Sequence, residues 1–130
     1  MQYELQEMMQ DLVGIVRREE EIERALDGIK KLKERAARAG ITGNREYNNG
    51  WHTALDLDNL LTVSEIIARV AIERKESRGA HFRDDYPEKS EQWAQRNLRV
   101  SKAADGSVLV KEAPVKPMPN ELKKIIEENM

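Results

Sequence analysis

The sequence contains no cysteine, which excludes disulfides, thiolate nucleophiles and cysteine-ligated clusters from its 130 residues. Aromatic residues make up only 5% of the chain, and this scarcity favours long solvated helices over a thick globular core. No apolar run approaches the roughly 20 residues that a membrane-spanning helix needs. The amino terminus lacks the basic and apolar regions of a signal peptide. We therefore expect a soluble helical domain of a reducing compartment, without direct membrane insertion.

Charged residues are abundant but nearly balanced in sign. They make up 35% of the chain, yet the formal net charge is only −2. No block of lysine and arginine stands apart from neighbouring acids, so the sequence predicts no nucleic-acid partner. None of the seven glycines follows the G-x-G-x-x-G spacing of a dinucleotide-binding loop, and His52 and His81 share no metal-ligand spacing. We therefore expect no metal and no bound cofactor in this chain alone.

The first two thirds of the chain carry a helical pattern. Apolar residues recur at three- and four-residue steps from Leu5 to Ala36, and the charged cluster at 17–21 predicts a kink or short break in that stripe. Gly40 fits the position after a helix end. A further helix is expected from Trp51 to Arg78. Because apolar residues cover most of its circumference, we expect another segment or domain to cover part of it.

The pattern changes after residue 87. Residues 88–95 predict a short helix around Trp93. Two alternating segments, 97–101 and 107–111, flank an Asp-Gly turn and predict a β-hairpin. A proline-containing connector then leads to a short final helix capped by Asn120.

Together these patterns predict a mainly α fold. Residues 1–87 are expected to form a three-helix up-and-down bundle, similar to a spectrin repeat, that ends in a polar loop. Residues 88–130 are expected to form an appendage of the same domain, with the β-hairpin, the connector and the short terminal helix.

That polar loop holds the most specific group of side chains in the sequence: Glu76-Ser77-Arg78-Gly79-Ala80-His81-Phe82-Arg83-Asp84-Asp85-Tyr86-Pro87. Glycine permits a positive φ on leaving the helix, and the proline blocks continued regular structure. Arginine forks bind carboxylates through paired hydrogen bonds. From the residues alone two interpretations stay open: a polar turn whose groups satisfy one another, and a binding surface.

The loop resembles the E-S-R-G-A-H-x-R-x-D-x-P signature in the C-terminal helical domain of succinate dehydrogenase and fumarate reductase flavoprotein subunits. All nine fixed positions agree. Residues 5–17 are similar to that domain's opening helix, with L-Q-x-x-M followed by G-x-x-R, and residues 51–61 resemble its long central helix. The resemblance therefore covers nearly the whole chain.

The resemblance implies an oxidoreductase that interconverts succinate and fumarate with FAD and passes electrons to an iron-sulfur subunit. The family's FAD-binding and capping domains lie upstream and hold the catalytic groups, so no catalytic or cofactor-binding residue is expected here, and this chain alone would be inactive. The implied location is cytoplasmic, on the inner face of the membrane through partner subunits. The matched residues would dock onto the flavin domain or iron-sulfur partner: Arg78, Gly79, His81, Arg83 and Asp85.

Two alternatives stay open. One is L-aspartate oxidase, a soluble relative whose loop commonly differs at the positions of Ala80 and Arg83, so these two residues favour the first interpretation. The other is a helical docking scaffold without enzymatic activity. The resemblance implies flavin and capping domains before this segment, so the chain is either an excised domain or a detached subunit. Because the wide apolar face of the helix at 51–78 requires a partner, we expect an excised domain.

Overall fold

The structure is a computed structural model that describes residues 1–129. The predicted mainly α class with one hairpin is confirmed. The elements, in chain order, are α1 (Gln2–Leu12), β1 (Val16–Arg17), α2 (Glu19–Ala36), α3 (Asn49–Glu73), β2 (Phe82–Arg83), α4 (Glu91–Ala94), β3 (Arg96–Lys102), β4 (Val108–Pro114) and α5 (Asn120–Glu128).

The first helical stripe is divided into α1 and α2, and the break lies slightly earlier than residues 17–21. A Cβ added at Gly14 would lie 2.6 Å from the Gln10 carbonyl oxygen, so the chain turns there through a space too small for a side chain. The sequence placed the break too late in the chain, because the acidic residues of the charged cluster begin a helix instead of interrupting one. Glu19, Glu20 and Glu21 occupy the first turn of α2, where the helix dipole favours negative charge.

Ion pairs show how the three long helices run. Arg35 near the end of α2 binds Glu4 near the start of α1, with 2.7 Å between Nη1 and Oε1. Lys33 of α2 binds Glu65 in the middle of α3. Lys75, just beyond α3, lies 3.7 Å from Glu19 at the start of α2. Neighbouring helices are therefore antiparallel, while the closer likeness to a spectrin repeat stays a prediction.

The core lies where α3 meets α1 and α2. Ten apolar residues are buried there: Leu5, Val13, Ile22, Ala25, Ile29, Leu32, Leu57, Leu61, Ala68 and Ala71. The opposite side of α3 remains open within residues 1–129, where Leu55 is 63% exposed and Ile67 is 44% exposed. The first two helices cover one face of α3, and β4 of the hairpin covers a second.

The long helix ends five residues earlier than predicted. It stops at Glu73 because Arg74 takes an extended conformation, with φ −81° and ψ 94°. The following residues turn back towards the helix, and two of them, Glu76 and Ser77, are buried. The sequence pattern did not reveal this reversal because the charged residues after Glu73 are compatible with a helix.

The C-terminal hairpin is present and longer than predicted. β3 and β4 pair antiparallel from Arg96 opposite Pro114 to Lys102 opposite Val108. Gly106 adopts φ 86° in the turn, which favours glycine. α4 is shorter than the predicted 88–95 because Ser90 caps its first turn. The division of the chain at residue 87 stays a prediction.

Candidate functional site

The arginine loop, residues 74–90, connects α3 to α4 and folds into a closed turn. The backbone N–H of Arg78 donates to the His81 carbonyl at 2.8 Å, and the His81 N–H donates back at 3.1 Å. Gly79 lies at the tip with φ 61°, as the sequence predicts. The Ser77 hydroxyl accepts the Arg83 N–H at 2.8 Å and donates to the Tyr86 carbonyl at 2.9 Å. Hydrogen bonds within the arginine loop therefore hold its backbone in a closed turn.

Arg83 lies at the centre of this loop, and its side chain is fully buried. Nη1 donates to the carbonyls of Ala71 and Ile72 at 2.9 and 3.1 Å, at the carboxyl end of α3. Nε and Nη2 form a fork on Asp85, at 2.7 and 2.6 Å. Nη2 also reaches Glu19 of α2 at 3.2 Å. All five guanidinium protons therefore have acceptors, which compensates for the loss of water around a buried cation.

The Arg83–Asp85 pair also shifts the acidity of both groups. The hydrogen bond from Arg83 lowers the pKa of Asp85 to about 2. The same bond raises the pKa of Arg83, against the opposing effect of burial. Asp85 further accepts the backbone N–H of Glu19 at 3.1 Å, in the first turn of α2. The pair thus binds the loop to the beginning of α2 and the end of α3.

Glu76 forms a second buried charged centre. Its carboxylate accepts from Arg74 Nη2 at 2.6 Å, from Arg78 Nε at 3.1 Å and from the Ser90 N–H at 2.9 Å. Burial opposes ionisation, but the hydrogen bonds from Arg78, Ser90 and Arg74 outweigh it and lower the pKa of Glu76 to about 2. Through Ser90 this carboxylate connects the loop to the cap of α4.

His81 is held between two arginines. Arg17 Nη1 donates to Nδ1 at 2.8 Å, so this nitrogen carries no proton. Nε2 therefore carries the proton and donates to the Arg74 carbonyl at 2.9 Å. Burial lowers the pKa of His81, and the positive charges of Arg17, Arg83 and Arg74 lower it further. The ring is neutral near pH 7 and joins the loop to β1.

The five residues selected from the sequence thus have different surroundings. Arg83 is fully buried, and the side chain of Asp85 is 29% exposed. Arg78 and His81 are half-buried, and Gly79 is exposed at the tip. Both interpretations of the loop therefore have a place: its interior is a self-satisfied polar cluster, and its tip is free for another contact.

Sequence reasoning missed three participants from outside the selected set. Arg17 and Glu19 come from β1 and α2, and Arg74 comes from the residue after α3. Arg17 ends the G-x-x-R segment, which was the one available signal. The buried role of Glu76 was missed as well, although it is the first letter of the signature.

The family described as "Fumarate reductase flavoprotein C-term" matches residues 2–125. The chain belongs to this family. The matched range includes the three long helices, the arginine loop and the hairpin. The identification therefore rests on the whole fold and not on the loop alone.

Among the relatives of this flavoprotein C-terminal domain is the succinate dehydrogenase flavoprotein subunit of Coxiella burnetii, which is 36% identical over 116 residues, or 88% of this chain. The L-aspartate oxidase of Yersinia pestis is 43% identical over 89 residues, or 68% of this chain. These matches cover 19% and 16% of the two relatives. The chain therefore spans about a fifth of the length of the relatives it matches.

A solved structure extends this likeness to three dimensions. Mycobacterium smegmatis Sdh1, in complex with UQ1, superimposes with a TM-score of 0.86 and 43% sequence identity. The match covers 96% of this chain and 22% of that one. Within residues 1–129, no helix is both long and apolar enough to cross a bilayer.

Replacing the buried Arg83 should show how much its hydrogen bonds stabilise the domain. Lysine has three donors on one nitrogen and cannot serve Asp85 and two carbonyls in the same geometry. We expect Arg83→Lys to lower the free energy of unfolding by about 3 kcal/mol, measured by urea denaturation at pH 7. Arg18→Lys is the matched control, because Arg18 pairs with Asp84 at the surface, so this change should leave the free energy of unfolding nearly unchanged. Equal effects of the two substitutions would contradict a stabilising role for the buried Arg83.

Acid should remove the contribution that the carboxylates of Glu76 and Asp85 make to the stability of the fold. Their folded pKa values are about 2, below the ordinary values of 4.5 for Glu76 and 3.8 for Asp85. The unfolded chain therefore binds more protons between these limits, and the stabilisation is complete above pH 4.5 and declines as the pH falls towards 2. Glu76→Gln should cost about 3 kcal/mol at pH 7 and progressively less towards pH 2, by denaturation at several pH values. A difference between the two proteins that is independent of pH would refute this.

Proposed function

We propose that this chain is the closing domain of a flavoprotein that interconverts succinate and fumarate using FAD and delivers electrons to an iron-sulfur subunit. The observation that supports this most strongly is the extent of the likeness to the succinate dehydrogenase subunit of Coxiella burnetii, over 116 residues. The hydrogen bonds of the arginine loop add support, because six of the nine signature residues take part in them: Glu76, Ser77, Arg78, His81, Arg83 and Asp85.

L-Aspartate oxidase is the second candidate, and its 43% identity over 89 residues favours it locally. The segment from the start of α1 to the end of β4 contains more residues than this match covers. The likeness to L-aspartate oxidase therefore omits part of the helices or part of the hairpin. The longer match to succinate dehydrogenase makes the succinate reaction our first choice.

FAD would supply the acceptor for a hydride from the substrate, but the residues of this chain do not fit its binding. A groove of about 620 Å³ lies between the end of α2 and the start of α3 and is lined partly by Ala36, Trp51 and Asp58. No lysine or arginine lines it to balance a pyrophosphate. In our proposal the cofactor and all catalytic groups belong to the upstream part of the protein.

We assign this domain a docking role in the intact enzyme. The exposed tip at Gly79 and Ala80, with the half-buried Arg78 and His81 beside it, would face the flavin domain or the iron-sulfur partner. Arg83 and its pair Asp85 would keep the tip in place from within. The enzyme would lie on the cytoplasmic face of the membrane through its partner subunits.

The substrate is tested with the intact flavoprotein purified from its own cells. Under anaerobic conditions, we expect succinate to bleach the flavin absorbance near neutral pH and L-aspartate to leave it unchanged. Bleaching by L-aspartate alone would select the second candidate. A colourless protein would contradict both and favour a helical scaffold.

The docking role is tested at the loop tip. Ala80→Arg adds a large cationic side chain at an exposed position, so the domain itself should still fold. We expect succinate turnover of the intact enzyme to fall about tenfold or more, because small displacements of packed domains misalign reacting groups. Ala104→Arg, at the exposed hairpin turn, is the matched control and should retain turnover. Full turnover of Ala80→Arg would contradict docking through the tip.

A further inference from the structure

Arg17 differs from the other half-buried or buried arginines in its partners. Five such arginines each pair with a carboxylate: Arg69, Arg74, Arg78, Arg83 and Arg96. Arg17 has no carboxylate within salt-bridge distance among residues 1–129. Its Nε donates to the Gly14 carbonyl at 2.7 Å, and Nη1 lies 2.8 Å from His81 Nδ1. The side chain is therefore held in position while its charge stays uncompensated.

The charged neighbours of Arg17 do not offset its positive charge. Arg83 pairs with Asp85, and Arg74 shares Glu76 with Arg78. His81, the remaining polar neighbour, is neutral in the hydrogen-bonded arrangement. Burial lowers the pKa of Arg17, and the charge of Arg83 lowers it further. An anion beside Arg17 would relieve both effects.

A groove of about 310 Å³ opens beside this cation, and we name it the Arg17 groove. It is lined by Arg17, Ile66, Ile67, Val70, Ala71, Arg74 and His81. Ile67 in this lining is 44% exposed. The groove is therefore mostly apolar and holds one cation without a carboxylate partner, a composition that marks a protein contact.

We propose that the Arg17 groove receives a carboxylate side chain, flanked by apolar residues, from the upstream part of the same polypeptide. The inference rests on the proposed function, since it identifies the contact by which the closing domain docks. The occupant is argued from charge complementarity. An Arg–carboxylate fork would use the N–H groups of Arg17 that have no acceptor within residues 1–129.

The upstream part is the occupant for a further reason. The chain covers 19% of the Coxiella burnetii subunit, so most of such a polypeptide lies outside these residues. A tethered domain meets the groove at a high effective concentration, which offsets the cost of desolvating the arginine and the acid. The source of the carboxylate is therefore the polypeptide itself and not a separate subunit.

Zero-length cross-linking tests this contact in the intact flavoprotein. Arg17→Lys keeps the positive charge and adds a primary amine, which a carbodiimide couples only to a carboxylate in direct contact. Mass spectrometry then identifies the cross-linked peptide pair. Arg24→Lys, on the exposed side of α2, is the matched control. If Arg17→Lys fails to fold by its thermal transition, Ile67→Lys places the amine on an exposed residue that lines the groove.

We expect a cross-link from position 17, or from position 67 in the second variant, to an acidic residue upstream of this domain, and its absence in Arg24→Lys. A cross-link to another subunit, a cross-link only within these 130 residues, or none would overturn the inference. The outcome is independent of the substrate test. If the upstream cross-link forms in a protein whose flavin is not bleached by succinate, the docking contact is supported and the proposed reaction is contradicted.

Discussion

The buried guanidinium of Arg83 is the interaction on which the helix junctions depend. It binds the carboxyl end of α3 through two backbone carbonyls, α2 through Glu19 and its own loop through Asp85. A buried cation is tolerated only when such acceptors surround it. The geometry of the loop, and with it the meeting of three segments distant in sequence, follows from satisfying this one charge.

The second buried charge, Glu76, continues the same arrangement towards the C-terminal part. It joins Arg74 and Arg78 and reaches the cap of α4 through the Ser90 N–H. The loop signature is therefore mainly structural within this chain. In our proposal, contacts with the rest of the protein fall to the exposed loop tip and the Arg17 groove. A motif rich in ionisable residues would then hold the domain together and supply no reacting group.

Much of the fold follows from the sequence because the governing interactions are local. The amphipathic stripe of α1 and α2, the Asp-Gly turn of the hairpin and the positive φ of Gly79 are properties of short segments. The early end of α3 is different. Residues 74–78 leave the helix, and Glu76 is then bound by its near neighbours Arg74 and Arg78. The Ser90 N–H and the Trp93 carbonyl complete these contacts from 14 and 19 residues farther along the chain, which a helical pattern does not reveal.

The candidate site shows the same limit. The signature identified the correct loop, but it did not show that Arg83 points inward or that Arg17 reaches His81 from β1. Such roles depend on pairings between residues more than sixty positions apart. The amphipathic pattern of α5 predicted that this helix exists but not how it packs. Its apolar residues Leu122, Ile125 and Ile126 remain about half exposed.

The central claim, that Arg83 is an internal structural cation, is tested most directly by NMR of arginine side chains in this chain. The account predicts that the guanidinium protons of Arg83 give separate signals at neutral pH that exchange slowly with water, while those of the exposed Arg18 exchange fast. Rapid exchange at Arg83, equal to that at Arg18, would contradict it.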